Sequence, residues 1–204
     1  MELHTLTLGD YATNTYVIAE NGSAIIIDPA IDNGIIEDFL IKHNVRAETV
    51  LITHAHFDHI CGVAALERAG AEIYISYTDY ELLKQHDFNI DLGFFARRVE
   101  AFNAYRLVSE GVELALCNHT FKVVETPGHT PGGVCYVMDG KCIFSGDTLF
   151  NLSVGRTDFP FCSNSRLKQS LKKLFSLDGE YTVYPGHGNS TTLNYERKYN
   201  PYAT

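Results

Sequence analysis

The sequence predicts an α+β fold built as a four-layer αβ/βα sandwich, two sheets packed face to face with helices outside. Three observations predict it: strand-like runs in both halves of the chain, helical patterns interspersed with them, and no low-complexity linker between the halves. The 204 residues are 45% hydrophobic and 20% charged, a globular composition with room for one sizeable core. Residues 1–204 are therefore read as a single domain.

Thr13 to Glu20 is β-branched and aromatic, and Ser23 to Ile27 is an apolar run ending at Asp28-Pro29, both strand signatures. Asn21-Gly22 between them signals a two-residue hairpin, because both central positions of that turn need φ > 0. Ile35 to His43 is helical, with Ile35, Ile36, Phe39 and Leu40 on one face. A buried strand over Glu48 to Thr53 leads to a helix over Ile60 to Ala69, a strand over Ala71 to Ser76 and a helix over Thr78 to Gln85. The second half repeats this grammar with strands over Val112 to Leu116, Phe121 to Glu125, Val134 to Met138 and Cys142 to Phe144. Asp139-Gly140 marks a second hairpin. Arg166 to Phe175 turns Leu167, Leu171, Leu174 and Phe175 inward and Lys168, Lys172 and Lys173 outward, and Tyr181 to Tyr184 is a last strand.

Charge narrows the partners. A formal net charge of −9 argues against a phosphate-backbone binder, which needs a basic surface. No apolar run approaches the roughly 20 residues that cross a bilayer. Met1 to Gly9 lacks a basic start followed by an apolar stretch, so a cytoplasmic protein with neither a nucleic-acid nor a membrane partner is expected. Five cysteines, an odd and widely spaced set without a Cys-x-x-Cys pair, read as free thiols.

The most informative stretch is Thr53-His54-Ala55-His56-Phe57-Asp58-His59, which packs three imidazoles and a carboxylate into six residues, a ligand set for borderline metals such as zinc. His54 and His56, two apart on an extended segment, project to the same side. Asp58 and His59 lie where the chain turns into a helix, so one loop can feed two neighbouring positions. Three further candidates each sit at a strand end: His129 in Thr126-Pro-Gly-His-Thr130, Asp147 in Ser145-Gly-Asp-Thr148, and His187 in Tyr184-Pro-Gly-His-Gly188. A single His after Pro-Gly is ordinarily a turn residue. Seven ligand-type side chains at strand ends match a two-metal site, in which a carboxylate such as Asp147 can bridge. His4, His43, His86 and His119 stand apart from any such pattern and read as ordinary surface or core histidines.

These residues resemble the metallo-β-lactamase superfamily and, within it, the short glyoxalase II-like (hydroxyacylglutathione hydrolase-like) hydrolases. The resemblance runs from Asn14 and Asp28-Pro29 to Asn200-Pro201. It implies the same sandwich fold, a first metal at His54, His56 and His129, a second at Asp58, His59 and His187, and Asp147 as the bridge. Two divalent metals are expected, zinc foremost, with iron and manganese compatible. Gly155-Arg-Thr-Asp158 also fits the subfamily's pattern, with Arg156 and Asp158 either pinning a loop beside the metals or meeting substrate. Two departures stand out. Phe159-Pro-Phe-Cys162 replaces the usual small residues after that motif, and only about 17 residues follow His187, too few for the helical region with which longer glyoxalase II proteins grip glutathione.

The expected chemistry is hydrolysis of a thioester or related small acyl substrate by a metal-bound hydroxide, with Asp58 and Asp147 as catalytic carboxylates. A thiolate leaves readily, so no strong general acid is needed. The rival reading is a mononuclear-iron persulfide dioxygenase. A β-lactamase is disfavoured by the absence of an export signal. The aromatic segment Asp87 to Tyr105 is a candidate substrate-selecting cover.

Overall fold

The computed structural model describes residues 1–31, 33–84 and 99–203. Six strands form the first sheet in the order β1 (Glu2–Leu8), β2 (Thr13–Glu20), β3 (Ser23–Ile27), β4 (Arg46–Leu51), β5 (Glu72–Ser76) and β6 (Arg106–Val108). The first three are antiparallel, and the pairings from β3 to β6 are parallel. The second sheet runs β14 (Thr191–Thr192), β13 (Thr182–Pro185), β10 (Cys142–Gly146), β9 (Val134–Met138), β8 (His119–Glu125) and β7 (Glu113–Leu116), antiparallel except where β10 pairs β13. A two-strand ribbon, β11 (Leu149–Phe150) with β12 (Ser153–Val154), hangs beyond β10.

Alternation along the strands sorts the core into three layers. Tyr16, Ile18, Ile25 and Ile27 face Phe121, Val123, Tyr136 and Phe144 between the sheets. The intervening Val17, Ala24 and Ile26 point the other way, onto the helices α1 (Ile35–His43), α2 (Phe57–Ile60), α3 (Val63–Arg68) and α4 (Tyr77–Lys84). Val124, Val137, Ile143 and Val183 pack against α5 (Asn164–Phe175) and the start of α6 (Leu193–Tyr199). Helix, sheet, sheet, helix is the expected four-layer sandwich.

Both hairpin turns take left-handed geometry, with φ of 51° and 84° at Asn21-Gly22 and 51° and 62° at Asp139-Gly140. In α5, Leu167, Leu171 and Leu174 are buried, the three lysines are exposed, and Ser163 caps the first turn.

Several expectations need correction. The helix expected over 60–69 is two helices, α2 and α3, parted at Cys61-Gly62. There the chain passes so close to the Pro29–Ile31 backbone that a Cβ on Gly62 would lie 2.5 Å from the Ile31 carbonyl oxygen. Asp58 and His59 consequently lie inside a short helical turn instead of before a helix. The strand expected over 48–53 ends at Leu51, which frees Thr53 to turn back toward Asp28. Helix α1 has the expected bounds, but Ile35, expected on its inward face, is exposed while Ile36 and Leu40 are buried. The short strands β6, β11, β12 and β14, and α6, carry no clear alternation and escape a pattern reading, while β1, also not expected, does alternate over Thr5-Leu6-Thr7-Leu8. His86 and residues 87–98 of the proposed cover lie outside the described residues. Of the rest of that segment, Phe102 is buried in the helix-side core and Tyr105 is exposed.

Candidate metal centre

The ends of β4, β8, β10 and β13 converge on one edge of the sandwich, and each delivers a polar side chain there. Beyond β4, an extended segment presents His54 and His56, and the first turn of α2 presents Asp58 and His59. The turn after β8 brings His129, the turn after β10 brings Asp147, and the turn after β13 brings His187. All seven residues singled out in the sequence meet here.

Ring orientation follows from the hydrogen bonds behind each imidazole. Thr53 Oγ1 donates to Asp28 Oδ2 (2.6 Å) and so accepts from His54 Nδ1 (3.0 Å), which turns the lone pair of His54 Nε2 inward. His59 Nδ1 donates to Asp28 Oδ2 at 2.9 Å, His129 Nδ1 to the Arg156 carbonyl at 2.8 Å, and His187 Nδ1 to the Tyr11 carbonyl at 3.1 Å. Outer partners of this type fix tautomer and direction in metal-ligating histidines. His56 meets the group through Nδ1, 2.9 Å from His129 Nε2.

The inward atoms form two groups. Ligand-type atoms of His54, His56 and His129 lie within 4.8 Å of one another, as do those of Asp58, His59 and His187. Asp147 stands between them: Oδ1 is 3.5 Å from His59 Nε2, and Oδ2 is 3.4 Å from His129 Nε2 and 3.5 Å from His187 Nε2. A third grouping, Asp28 with His54 and His59, is also this compact. Both Asp28 oxygens are already engaged by Thr53 and His59 Nδ1 on the far side of the rings, so Asp28 orients the cluster from behind.

Whether a cation fits is answered by the buried atoms left without hydrogen bonds. His54 Nε2, His59 Nε2 and Asp147 Oδ1 are all buried and all aimed into this space, and none has a hydrogen-bond partner among the described residues. Buried polar atoms are almost always paired, at a cost of about 1–3 kcal/mol each when they are not. Three in one place, bearing nitrogen and carboxylate lone pairs, suit borderline divalent metals.

Charge differs between the two groups. Burial, and then the neighbouring His129, press His56 down to about 3, and burial with four neighbouring imidazoles holds His54 well below the usual imidazole range. Burial alone would lower His59 too, but Asp58, Asp147 and Asp28 overturn it and lift His59 to about 9. His187 reaches about 10 against its burial, through Asp147 and Asp58. Burial opposes ionisation of Asp147 and Asp58. His59 and His187 prevail, holding Asp147 at about 2 and Asp58 well below the usual carboxylate range.

Residues that pattern reading missed hold the frame. Asp79 on α4 is fully buried and accepts from Ala55 N (3.0 Å), Thr130 Oγ1 (2.8 Å) and Gly132 N (2.6 Å), tying the His54–His56 segment to the His129 turn. Thr13 Oγ1 donates to Asp58 Oδ2 at 2.8 Å. Asn14 grips the His187 turn from behind by donating to the Pro185 and Gly188 carbonyls. Gly186 must lack a side chain, because a Cβ would collide with Asp147 Oδ1 and sit 2.7 Å from His59 Cε1. Arg156 and Asp158 make a two-pronged exposed pair (2.6 and 2.7 Å), with the guanidinium 3.9 Å over the Phe159 ring. Arg156 reaches the centre through its carbonyl on His129.

A cavity of 340 Å³ opens over the centre, walled by Tyr11, Phe57, Phe150, Val154 and Phe159, with Arg156 at its rim. The Phe159 that departs from the expected small residues is thus one apolar wall.

The fold and sequence have counterparts among known proteins. A B3 metallo-beta-lactamase, BLEG-1, shares the fold at a TM-score of 0.91 and 32% identity, covering 100% of both chains. TTHA1623, solved in a di-iron-bound form, superposes at 0.86 with 34% identity over 98% of this chain and 99% of that one. A hydroxyacylglutathione hydrolase of Francisella tularensis subsp. novicida is 33% identical over 175 residues, 84% of this chain and 61% of that enzyme. Residues 8–187 match the metallo-beta-lactamase superfamily, and the chain belongs to that superfamily.

Proposed function

We propose that the protein is a dinuclear metal-dependent hydrolase of thioesters or related small acyl substrates. The observation that carries this reading is the placement of Asp147 between two three-ligand groups, with buried atoms of both groups lacking any hydrogen-bond partner among the described residues. His54, His56 and His129 would hold one metal, and Asp58, His59 and His187 the other. Asp147 would bridge them. When bound, such a pair supplies a water of lowered pKa and Lewis acidity toward an acyl oxygen.

The chain's own groups do the rest. Asp28, Thr53 and the carbonyls of Tyr11 and Arg156 keep four imidazoles in one tautomer, so the site needs little reorganisation on loading. Thr13 orients Asp58 by donating its hydroxyl to Oδ2, the oxygen that faces His59 Nε2 and His187 Nε2 at 3.5 and 3.4 Å. The cavity suits a small acyl group against apolar walls. Among the described lining residues, Arg156 is the one charged side chain outside the ligand set. Among the described lining residues Tyr11 offers the one hydroxyl outside the ligand set, and a leaving group that departs unprotonated, as a thiolate does, needs no general acid.

The test is elemental analysis of the purified protein followed by a substrate panel. Two equivalents of zinc, iron or manganese per chain with thioester turnover support the reading. One iron per chain, with oxygen consumed on adding glutathione persulfide, overturns it in favour of a dioxygenase. The likeness to a B3 metallo-beta-lactamase puts β-lactams on the same panel. Turnover of these and not of thioesters would move the assignment to β-lactam hydrolysis.

A further inference from the structure

A second group of ligand-type side chains lies on the outer face of the first sheet and shares no residue with the centre described above. Glu2 and His4 are two apart on β1 and so project to one face. That face is the helix side, because His4 pairs across the ladder with Val17, which packs into the helix-side core. His43, the last residue of α1, comes down over them, and ligand-type atoms of Glu2, His4 and His43 lie within 4.8 Å of one another.

The rings are held in place independently of any cation. Phe39 stacks on His43 at 4.1 Å with 20° between the planes and meets His4 edge-on at 5.0 Å. The two imidazoles meet edge-on at 4.9 Å, and His4 Nε2 lies 3.2 Å from Glu2 Oε2. Among the described residues, neither His43 ring nitrogen has a hydrogen-bond partner, so the contacts of that ring are aromatic. Two imidazoles and a carboxylate, with an open side toward solvent, form a three-ligand set of the kind zinc accepts with water in the fourth position.

We propose that Glu2, His4 and His43 form a peripheral site for one borderline divalent cation, zinc being the ion the donors suit best. A cation there would tie the C-terminal end of α1 to the edge strand β1, two elements joined within this cluster by aromatic contacts alone. The site would act on the stability of this corner and take no part in turnover. Its residues are the ones that pattern reading sets aside as ordinary histidines, because His4 and His43 are 39 positions apart and no local spacing announces them.

The experiment uses untagged, metal-loaded protein dialysed against excess Zn²⁺, with zinc per chain measured for wild type, His43→Ala and Glu2→Gln. Wild type should take up one equivalent more than His43→Ala, and Glu2→Gln should need about tenfold more Zn²⁺ to fill that equivalent. Turnover should be unchanged in both variants, and added Zn²⁺ should raise the melting temperature of wild type but not of His43→Ala. Equal zinc uptake by wild type and His43→Ala overturns the site. If His43→Ala folds poorly, His4→Asn supplies the same comparison. The difference between variants does not depend on how many metals the main centre holds, so either reading can fail without the other.

Discussion

The two halves of the candidate centre are built from similar side chains and carry opposite electrostatics. His54 and His56 on the three-histidine side are held neutral by burial and by one another. On the other side, His59 and His187 are held charged by Asp58 and Asp147, against their own burial. The number of carboxylates makes the difference. One side has none in its own triad, while the other places Asp58 within 3.5 Å of both its imidazoles. The first side is a lone-pair cage already prepared for a cation. The second is an ion-paired cluster that must lose protons before it can ligate. Two sites a few ångströms apart can thus differ in how pH governs their loading.

The largest expected effect comes from the residue that belongs to both halves. Asp147→Ala should leave the fold intact, reduce bound metal to one equivalent or less, and lower turnover on the order of 10³-fold, the scale of losing a preorganised electrostatic contact. Circular dichroism, elemental analysis and kcat/KM together check this. A folded, fully metallated and active Asp147→Ala protein would break the comparison at its hinge.

Next in size is the proton count. In metal-free protein at pH 7, the raised values of His59 and His187 mean that filling the second group releases protons, up to two per chain, whereas His54 and His56 have none to lose. A pH-stat titration with Zn²⁺ should show proton release concentrated in one of the two equivalents, and affinity for that equivalent rising with pH up to about 10. Stability of the metal-free protein has a matching window. His59 and His187 are raised above their unfolded value of 6.5, so their contribution is fully present below it and fades as pH climbs through about 9 and 10. Asp147 is depressed from 3.8, so its contribution is present above that value and fades as pH falls toward about 2. His54 and His56 are held below 6.5, so they cost stability as pH falls beneath that value, and melting curves taken after chelation should peak near pH 6.5 and drop on both sides. A melting temperature that holds steady to pH 10 would contradict the charged assignment of the second half.

Asp28 offers a way to sharpen the contrast. It touches one imidazole from each half, His59 directly and His54 through Thr53. Asp28→Asn should weaken metal affinity by about 10–100-fold, the range for outer partners of ligating histidines, and weaken the Asp58 side more because His59 loses its anionic partner outright. Competition with a coloured chelator for each equivalent reads the two losses separately.

Legibility in the sequence divided along the same physical line. The ligand-type residues were readable because His-x-His-x-Asp-His is compressed into one loop, and because His129, Asp147 and His187 each follow a strand whose apolar run marks its own end. The layers were readable because alternation in Tyr16–Ile27 and Phe121–Met138 feeds two different cores. The supports were not. Asp79 meets Ala55 and Gly132 across 24 and 53 positions, and Thr13 meets Asp58 across 45, so no local pattern encodes these contacts. The break at Gly62 was hidden for a similar reason, since the obstruction is the backbone of a distant loop. Short-range spacing shows which groups do the chemistry. Only packing shows what aims them.

The smallest effect concerns the pair that could have been either a substrate contact or a loop pin. Arg156 and Asp158 are about half exposed or more, and such ion pairs contribute about 0–1 kcal/mol. The Arg156 carbonyl, not its guanidinium, touches the centre, through His129 Nδ1. Gly155 holds that carbonyl in place by lying so near the Asp147 backbone that no side chain could fit. Asp158→Asn should therefore shift stability by less than about 1 kcal/mol, leave metal content unchanged, and alter KM more than kcat if it alters either. The guanidinium would still stack on Phe159 at the cavity rim, but with its charge less neutralised, so anionic substrates should gain relative to neutral ones. Loss of metal in this variant would show instead that the ion pair, and not the glycine-backed loop, holds His129 in position.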